Sequence, residues 1–279
     1  MLPIFVGIEK IETLMKLVFH KYHGTGNDFI LIDNRNNIFN PEERVISSLC
    51  HRRFGIGADG LMTLNNHPEA DFEMKYYNAD GREGTMCGNG GRCITAFARF
   101  LNIINKNTKF LAIDGIHKAK VLAEFGDTSL ISIQMQDVAI TDQKESWFFL
   151  DTGSPHYVEF VDSIDNKDVY NDGKKIRWDK RFQPEGTNVN FVEVSGNSLM
   201  VATFERGVED VTLSCGTGVT ASALAESFIK GIEKDSFDIL TYGGELKVRF
   251  KKTNDKFTDI WLEGPAERVF SCEIKINND

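Results

Sequence analysis

The sequence predicts an α/β protein of the α+β kind, built twice from one unit. Three observations predict it. Short segments rich in β-branched and aromatic residues, bounded by Gly, Asn or Asp, recur along the chain. Two charge-poor stretches with helical periodicity each follow a Cys-Gly-x-Gly motif. The residues leading into the two motifs also match, so an internal duplication is read rather than two unrelated halves.

The elements follow in order. In the first half, strands are expected over 16–20, 29–33, 61–64, 73–77, 119–125 and 130–135. In the second half they are expected over 147–150, 157–161, 190–194, 199–205, 245–250 and 259–263. The first helix follows Cys87, where Ile94, Phe97, Ala98 and Leu101 fall at i, i+3, i+4, i+7. The second follows Cys215, where Ala221, Leu224, Ala225 and Phe228 repeat that spacing. Between 215 and 229 only Glu226 is ionised, which suits a helix buried nearly all round.

Upstream, Tyr76-Tyr77-Asn78-Ala79-Asp80-Gly81 leads into Met86-Cys87-Gly88-Asn89-Gly90. Thr203-Phe204-Glu205-Arg206-Gly207 leads into Ser214-Cys215-Gly216-Thr217-Gly218. Each half runs strand, polar turn, cysteine, buried helix. The polar stretch 136–146 reads as the linker between the halves. Met15, followed by Lys-Leu-Val-Phe-His, resembles a start, so 1–14 reads as an appendage.

With 279 residues the chain has room for two domains, each with its own core. The net charge is 32 − 41 = −9 with no block of like charges, which argues against nucleic acid as a partner. No apolar run nears the ~18 residues a membrane helix needs, and the opening residues lack a signal peptide's positive start and cleavage site. The odd count of five cysteines points to a reducing cytoplasm. No Cys/His spacing suggests zinc or another metal. Cys50, Cys93 and Cys272 sit in no comparable motif and read as structural.

A cysteine at a helix start has a chemistry. The first turn leaves N–H groups unpaired and adds partial positive charge, so the thiol is expected to be more acidic there. The glycines let an anion approach the same N–H groups. Two such motifs facing one cleft would put a thiol on each side of a substrate's α-carbon beside a nest for its carboxylate. Inverting a stereocentre by proton transfer needs one base and one acid on opposite faces. No cofactor is then required, and no lysine motif for pyridoxal phosphate is seen. An alternative stays open on the residues alone. Gly216-Thr217-Gly218-Val219-Thr220-Ala221 fits a dinucleotide fingerprint, with Glu233 and Asp235 beyond it.

His23-Gly24-Thr25-Gly26-Asn27-Asp28-Phe29, the two cysteine motifs, Gly153-Ser154-Pro155-His156, Glu185-Gly186-Thr187-Asn188-Val189-Asn190-Phe191 and Glu205-Arg206-Gly207 occur in one order and spacing. In these the chain, from 15 to about 274, resembles the diaminopimelate epimerases. The resemblance implies two similar domains, each a β-barrel-like sheet wrapped around a central helix, with the active site in the cleft between them. It implies that the tail returns to the first domain, giving an N-terminal domain of 15–135 plus 266–279 and a C-terminal domain of 136–265.

The implied reaction interconverts LL- and meso-2,6-diaminopimelate, towards lysine and peptidoglycan, in a cytoplasmic homodimer. Cys87 and Cys215 would be the acid–base pair, Cys87 serving the LL and Cys215 the meso form, with His156 and Glu205 tuning their protonation. Asn27, Asn78, Asn188, Glu205 and Arg206 would hold the substrate's amino and carboxylate groups. Gly88, Asn89, Gly216 and Thr217 would receive the reacting carboxylate. Two positions depart from the pattern: Ser154 where many members have Asn, and Gly60 where some have Gln. Histidine racemases resemble the chain too, but Arg206 with Asn78 and Asn188 suits a second amino-acid head group better than an imidazole. Proline racemase-like enzymes carry His where Asn89 stands.

Overall fold

A computed structural model describes residues 14–144, 146–196, 198–230, 234–254 and 256–277. The expected appendage over 1–14 lies outside the described residues except Leu14, which opens the first strand. In chain order the elements are β1 (Leu14–Gly24), β2 (Asn27–Asp33), α1 (Glu43–Cys50), β3 (Gly60–Asn65), β4 (Phe72–Asn78), β5 (Glu83–Gly84) and α2 (Gly88–Phe100). Then come β6 (Asn107–Ala112), β7 (Gly115–Phe125), β8 (Thr128–Gln134) and β9 (Val138–Gln143). The second half has β10 (Trp147–Asp151), β11 (Pro155–Phe160), α3 (Val169–Arg177), β12 (Asn188–Ser195), β13 (Ser198–Glu205), β14 (Asp210–Thr212) and α4 (Gly216–Lys230). It ends with β15 (Ser236–Thr241), β16 (Gly244–Thr253) and the long β17 (Lys256–Asn277).

The strands close two rings. In the first, β1 pairs with β2, β2 with β3, β3 with β4, β4 with β6, β6 with β7 and β7 with β8; the later part of β17 joins β8 back to β1. In the second, β9, β10, β11, β12, β13, β15 and β16 follow one another, and the first part of β17 joins β16 back to β9. Corresponding pairs are parallel in both rings, β2–β3 with β11–β12 and β4–β6 with β13–β15. The two rings therefore repeat one topology. Each is closed by a strand arriving from the other half: β9 leaves the first ring to complete the second, and β17 crosses back.

Each ring wraps one helix. In α2, Ile94, Phe97 and Ala98 are fully buried, as are Ala221, Leu224 and Ala225 in α4. Each large apolar side chain so buried stabilises the fold by roughly 1.5–3 kcal/mol. The hydroxyls that share this interior bond back along their own helices: Thr95 donates to the Gly91 carbonyl, Thr220 to that of Gly216 and Ser222 to that of Gly218, each at 2.8 Å. α1 and α3 lie outside the rings, each in a smaller apolar cluster with Ile46 and Leu49, or Val169 and Ile176.

Several expectations need correction. The polar stretch 136–146 is not a plain linker, since Val138–Gln143 forms β9, whose backbone pairs with β10 and β17. Val138 and Ile140 turn inward to the core, but the Thr, Asp and Gln that follow hide this short apolar alternation in the sequence. β6 and β15 were not expected, and neither were α1 and α3. The segment expected over 259–263 is the first part of a strand that continues to Asn277.

Candidate active site

Both cysteines head the central helices. Cys87 caps α2 with extended backbone, and its Sγ accepts the Gly90 N–H at 3.1 Å. The Cys87 carbonyl accepts from the Gly91 N–H, and the Cys215 carbonyl from the Val219 N–H. Cys215 Sγ lies 3.5 Å from Thr217 Oγ1.

The two helix starts meet tip to tip. A Cβ added to Gly88 would lie 3.6 Å from the Gly216 Cα, and one on Gly216 would lie 3.4 Å from the Gly88 Cα. Leu262 of β17 closes the same spot, 2.8 Å and 2.9 Å from those added atoms. Glycine at both positions lets the two dipole ends share one opening.

That opening is a cleft of about 840 Å³. Cys87, Gly88 and Asn89 line it from one half, and Cys215, Gly216 and Thr217 from the other. Asn27, Asn78, Asn188, Glu205 and Arg206 line it too. Both departures from the expected pattern are explained locally. Ser154 Oγ accepts from Asn188 Nδ2 at 2.8 Å and from an Arg206 guanidinium nitrogen at 3.3 Å, so the shorter side chain still ties the two together. Over Gly60 stands the ring of Tyr76, 2.5 Å from where a Cβ would be.

His156 is the expected residue that does not line the cleft. It is fully buried on β11, and its Nδ1 accepts from Asn190 Nδ2 at 3.1 Å. Burial, aided by the Arg206 charge, pushes it down to about 3, so it is neutral. The Asn190 Oδ1 accepts from Thr203, and a Cβ on Gly218 would come within 2.3 Å of that oxygen. His156 thus belongs to a polar layer under the first turn of α4. The same packing closes Gly218 to a pyrophosphate and weakens the dinucleotide alternative; Glu233 lies outside the described residues.

The expected acidification of the thiols is not found. Burial pushes Cys87 up to about 11, against the Gly90 N–H, and Cys215 up to about 12, against Thr217 and the Gly218 N–H. Desolvation outweighs the helix ends, and the Glu205 charge raises both thiols further. Glu205 itself is raised, first by burial and then by Asp59.

Sequence reasoning missed three residues. Asp59 lines the cleft and accepts from Asn27 Nδ2 at 2.7 Å. Tyr76 lines it from β4. Arg92 lies fully buried in α2 and is pushed down to about 10 by that burial. It donates to the carbonyls of Gly88 and Pro265, to Thr25 Oγ1 and to Asn89 Oδ1, at 2.9–3.3 Å. Asn89 so held donates to the Ser214 carbonyl at 3.0 Å, joining the halves. Tyr76 stands one place before Tyr77, the match of Phe204, which is the available signal; Arg92 offers none.

A family model described as diaminopimelate epimerase matches the chain twice, over residues 19–138 and 148–269. The chain belongs to the diaminopimelate epimerase family. The diaminopimelate epimerase of Flavobacterium psychrophilum is 50% identical over 262 residues, covering 93% of this chain and 100% of that protein. That of Chlorobaculum tepidum is 43% identical, covering 91% and 99%. Among solved structures, a PhzF-family phenazine biosynthesis protein of Bacillus anthracis superposes with a TM-score of 0.72 at 13% identity, covering 94% of this chain and 100% of that one. A hydroxyproline epimerase of Agrobacterium vitis gives 0.68 at 14%, covering 94% and 93%. These two likenesses show the diaminopimelate epimerase fold to be shared well beyond the family. No helix among the described residues is long and apolar enough to cross a membrane.

Proposed function

We infer that this protein interconverts LL- and meso-2,6-diaminopimelate, with Cys87 and Cys215 as the two acid–base groups and no cofactor. The observation that carries the reading is the meeting of two cysteine-headed helix starts across Gly88 and Gly216. The reacting carboxylate sits against the N–H groups of both starts, and the α-carbon lies between the two sulfurs. One thiolate takes the α-proton; the C–H electron pair moves into the carboxylate, whose added charge the N–H groups stabilise. The opposite thiol then gives its proton to the other face. Arg206, steadied by Ser154 and by its own N–H on Asn188 Oδ1, holds the distal head group with Asn78.

The same reading makes the protein a cytoplasmic homodimer supplying lysine and peptidoglycan synthesis. The free thiols support the compartment. Val18, Val269 and Phe270, exposed on the neighbouring strands β1 and β17, support the dimer.

The test is deuterium wash-in coupled to epimerisation, after dialysis against chelator and carbonyl reagents. Full activity is expected. Activity restored only by pyridoxal phosphate or a metal would sink the mechanism, and preferential racemisation of histidine would reassign the substrate.

Arg206→Lys keeps the charge and loses the fork. A roughly 10- to 1000-fold fall in kcat/KM is expected, the loss of a charged hydrogen bond plus some misplacement of the substrate. A value near that of the wild type would mean that the distal carboxylate binds elsewhere.

A further inference from the structure

The two rings allow a position-by-position comparison of the two walls of the cleft. Phe29 pairs with Gly60 as His156 pairs with Asn188. Leu61 pairs with Tyr77 as Val189 pairs with Phe204. Gly60 is therefore the counterpart of Asn188, and Tyr76 that of Thr203. In the second half the wall position carries an amide that touches Ser154 and the Arg206 backbone. In the first half that position has no side chain.

The gap is filled from the next strand. Tyr76 leans across Gly60, with its ring edge 2.5 Å and its hydroxyl 3.1 Å from the place of the absent Cβ. Gly84 opens the ring's other side: a Cβ there would lie 3.0 Å from Tyr76 and 2.9 Å from Asn78 Nδ2. Phe29 supports the ring edge-on, with centroids 6.0 Å apart. Two glycines thus make room for one phenol. Its hydroxyl has no hydrogen-bond partner among the described residues, although the residue lines the cleft. Burial and the nearby Cys87 keep the phenol from ionising, so it stays a neutral donor.

We propose that Tyr76 is a substrate-contacting specificity residue, whose hydroxyl hydrogen-bonds the polar head group of the bound amino acid on the Cys87 side of the cleft. It supplies from β4 the polar group that β3 lacks at Gly60. The proposal rests on the reading of the cleft as the diaminopimelate site. A purely structural tyrosine would need only its ring; a contact residue needs its oxygen.

Tyr76→Phe separates the two, because the ring and its packing remain. The expected result is a tenfold or greater fall in kcat/KM for diaminopimelate, with an unchanged thermal midpoint. Kinetic constants of Tyr76→Phe equal to those of the wild type would overturn the proposal. A wild-type protein that leaves diaminopimelate unchanged would overturn the underlying reading, and this contact with it.

Discussion

With Cys87 replaced by Ala, epimerisation is expected to fall at least about a thousandfold, because one face of the α-carbon loses its only acid–base group. Cys215→Ala should do the same. The informative part is what survives. Cys215 keeps its place at the head of α4 beside Thr217, so the Cys87 variant still holds one base. It should exchange the α-hydrogen with solvent slowly from one stereoisomer and not from the other. The Cys215 variant should show the opposite preference. Deuterium wash-in from each pure isomer, read by mass spectrometry, makes the measurement. Wild-type epimerisation by either variant would end the two-thiol mechanism.

Arg92→Met is expected to lower the melting temperature by roughly 10 °C. The side chain is fully buried, and all four of its acceptors are neutral. Two effects oppose each other. Removing a charge that burial has pushed down to about 10 relieves roughly 3 kcal/mol. Stranding the Pro265 carbonyl, Thr25 Oγ1 and Asn89 Oδ1 costs roughly 3–9 kcal/mol, while the Gly88 carbonyl keeps its partner within α2. The acceptors win, and the Asn89 amide that spans the halves loses its anchor. Arg92→Lys keeps the charge and part of the bonding, so it should fall between. A shift under roughly 2 °C for Arg92→Met would show that water or neighbouring groups replace the guanidinium.

How much of the fold and the cleft is legible in the sequence follows from how local each signal is. A cysteine, two glycines and a buried helix are consecutive residues, so both halves of the motif were plain in the sequence. Strands 107–112 and 236–241 were missed because polar Thr108 and Thr241 occupy inward positions and dilute the apolar signal of an otherwise regular alternation. β9 was missed because its apolar face is only Val138 and Ile140, followed by polar residues. α3 carries Asn and Gly within its helix, both poor formers, and is held by Val169 and Ile176 against the outer wall of the second ring. In the cleft, residue identities were legible and their partners were not. His156, expected to tune the protonation of the cysteines, is fully buried and bonded to Asn190 rather than open to the cleft. The thiols were expected to be acidic, but a sequence does not display desolvation. The role of Ser154 depended on Asn188 and Arg206 approaching from other strands.

The crossing of β17 bears on how the chain is made. Leaving the ribosome N-terminus first, the polypeptide exposes β1 and β8 as open edges until β17 arrives to lie between them. The first ring can gather its core around α2 early, yet it cannot close before β17 has been synthesised. Nascent chains stalled after β16 should therefore remain protease-sensitive in their N-terminal half, and the two halves should gain their protection together once β17 emerges.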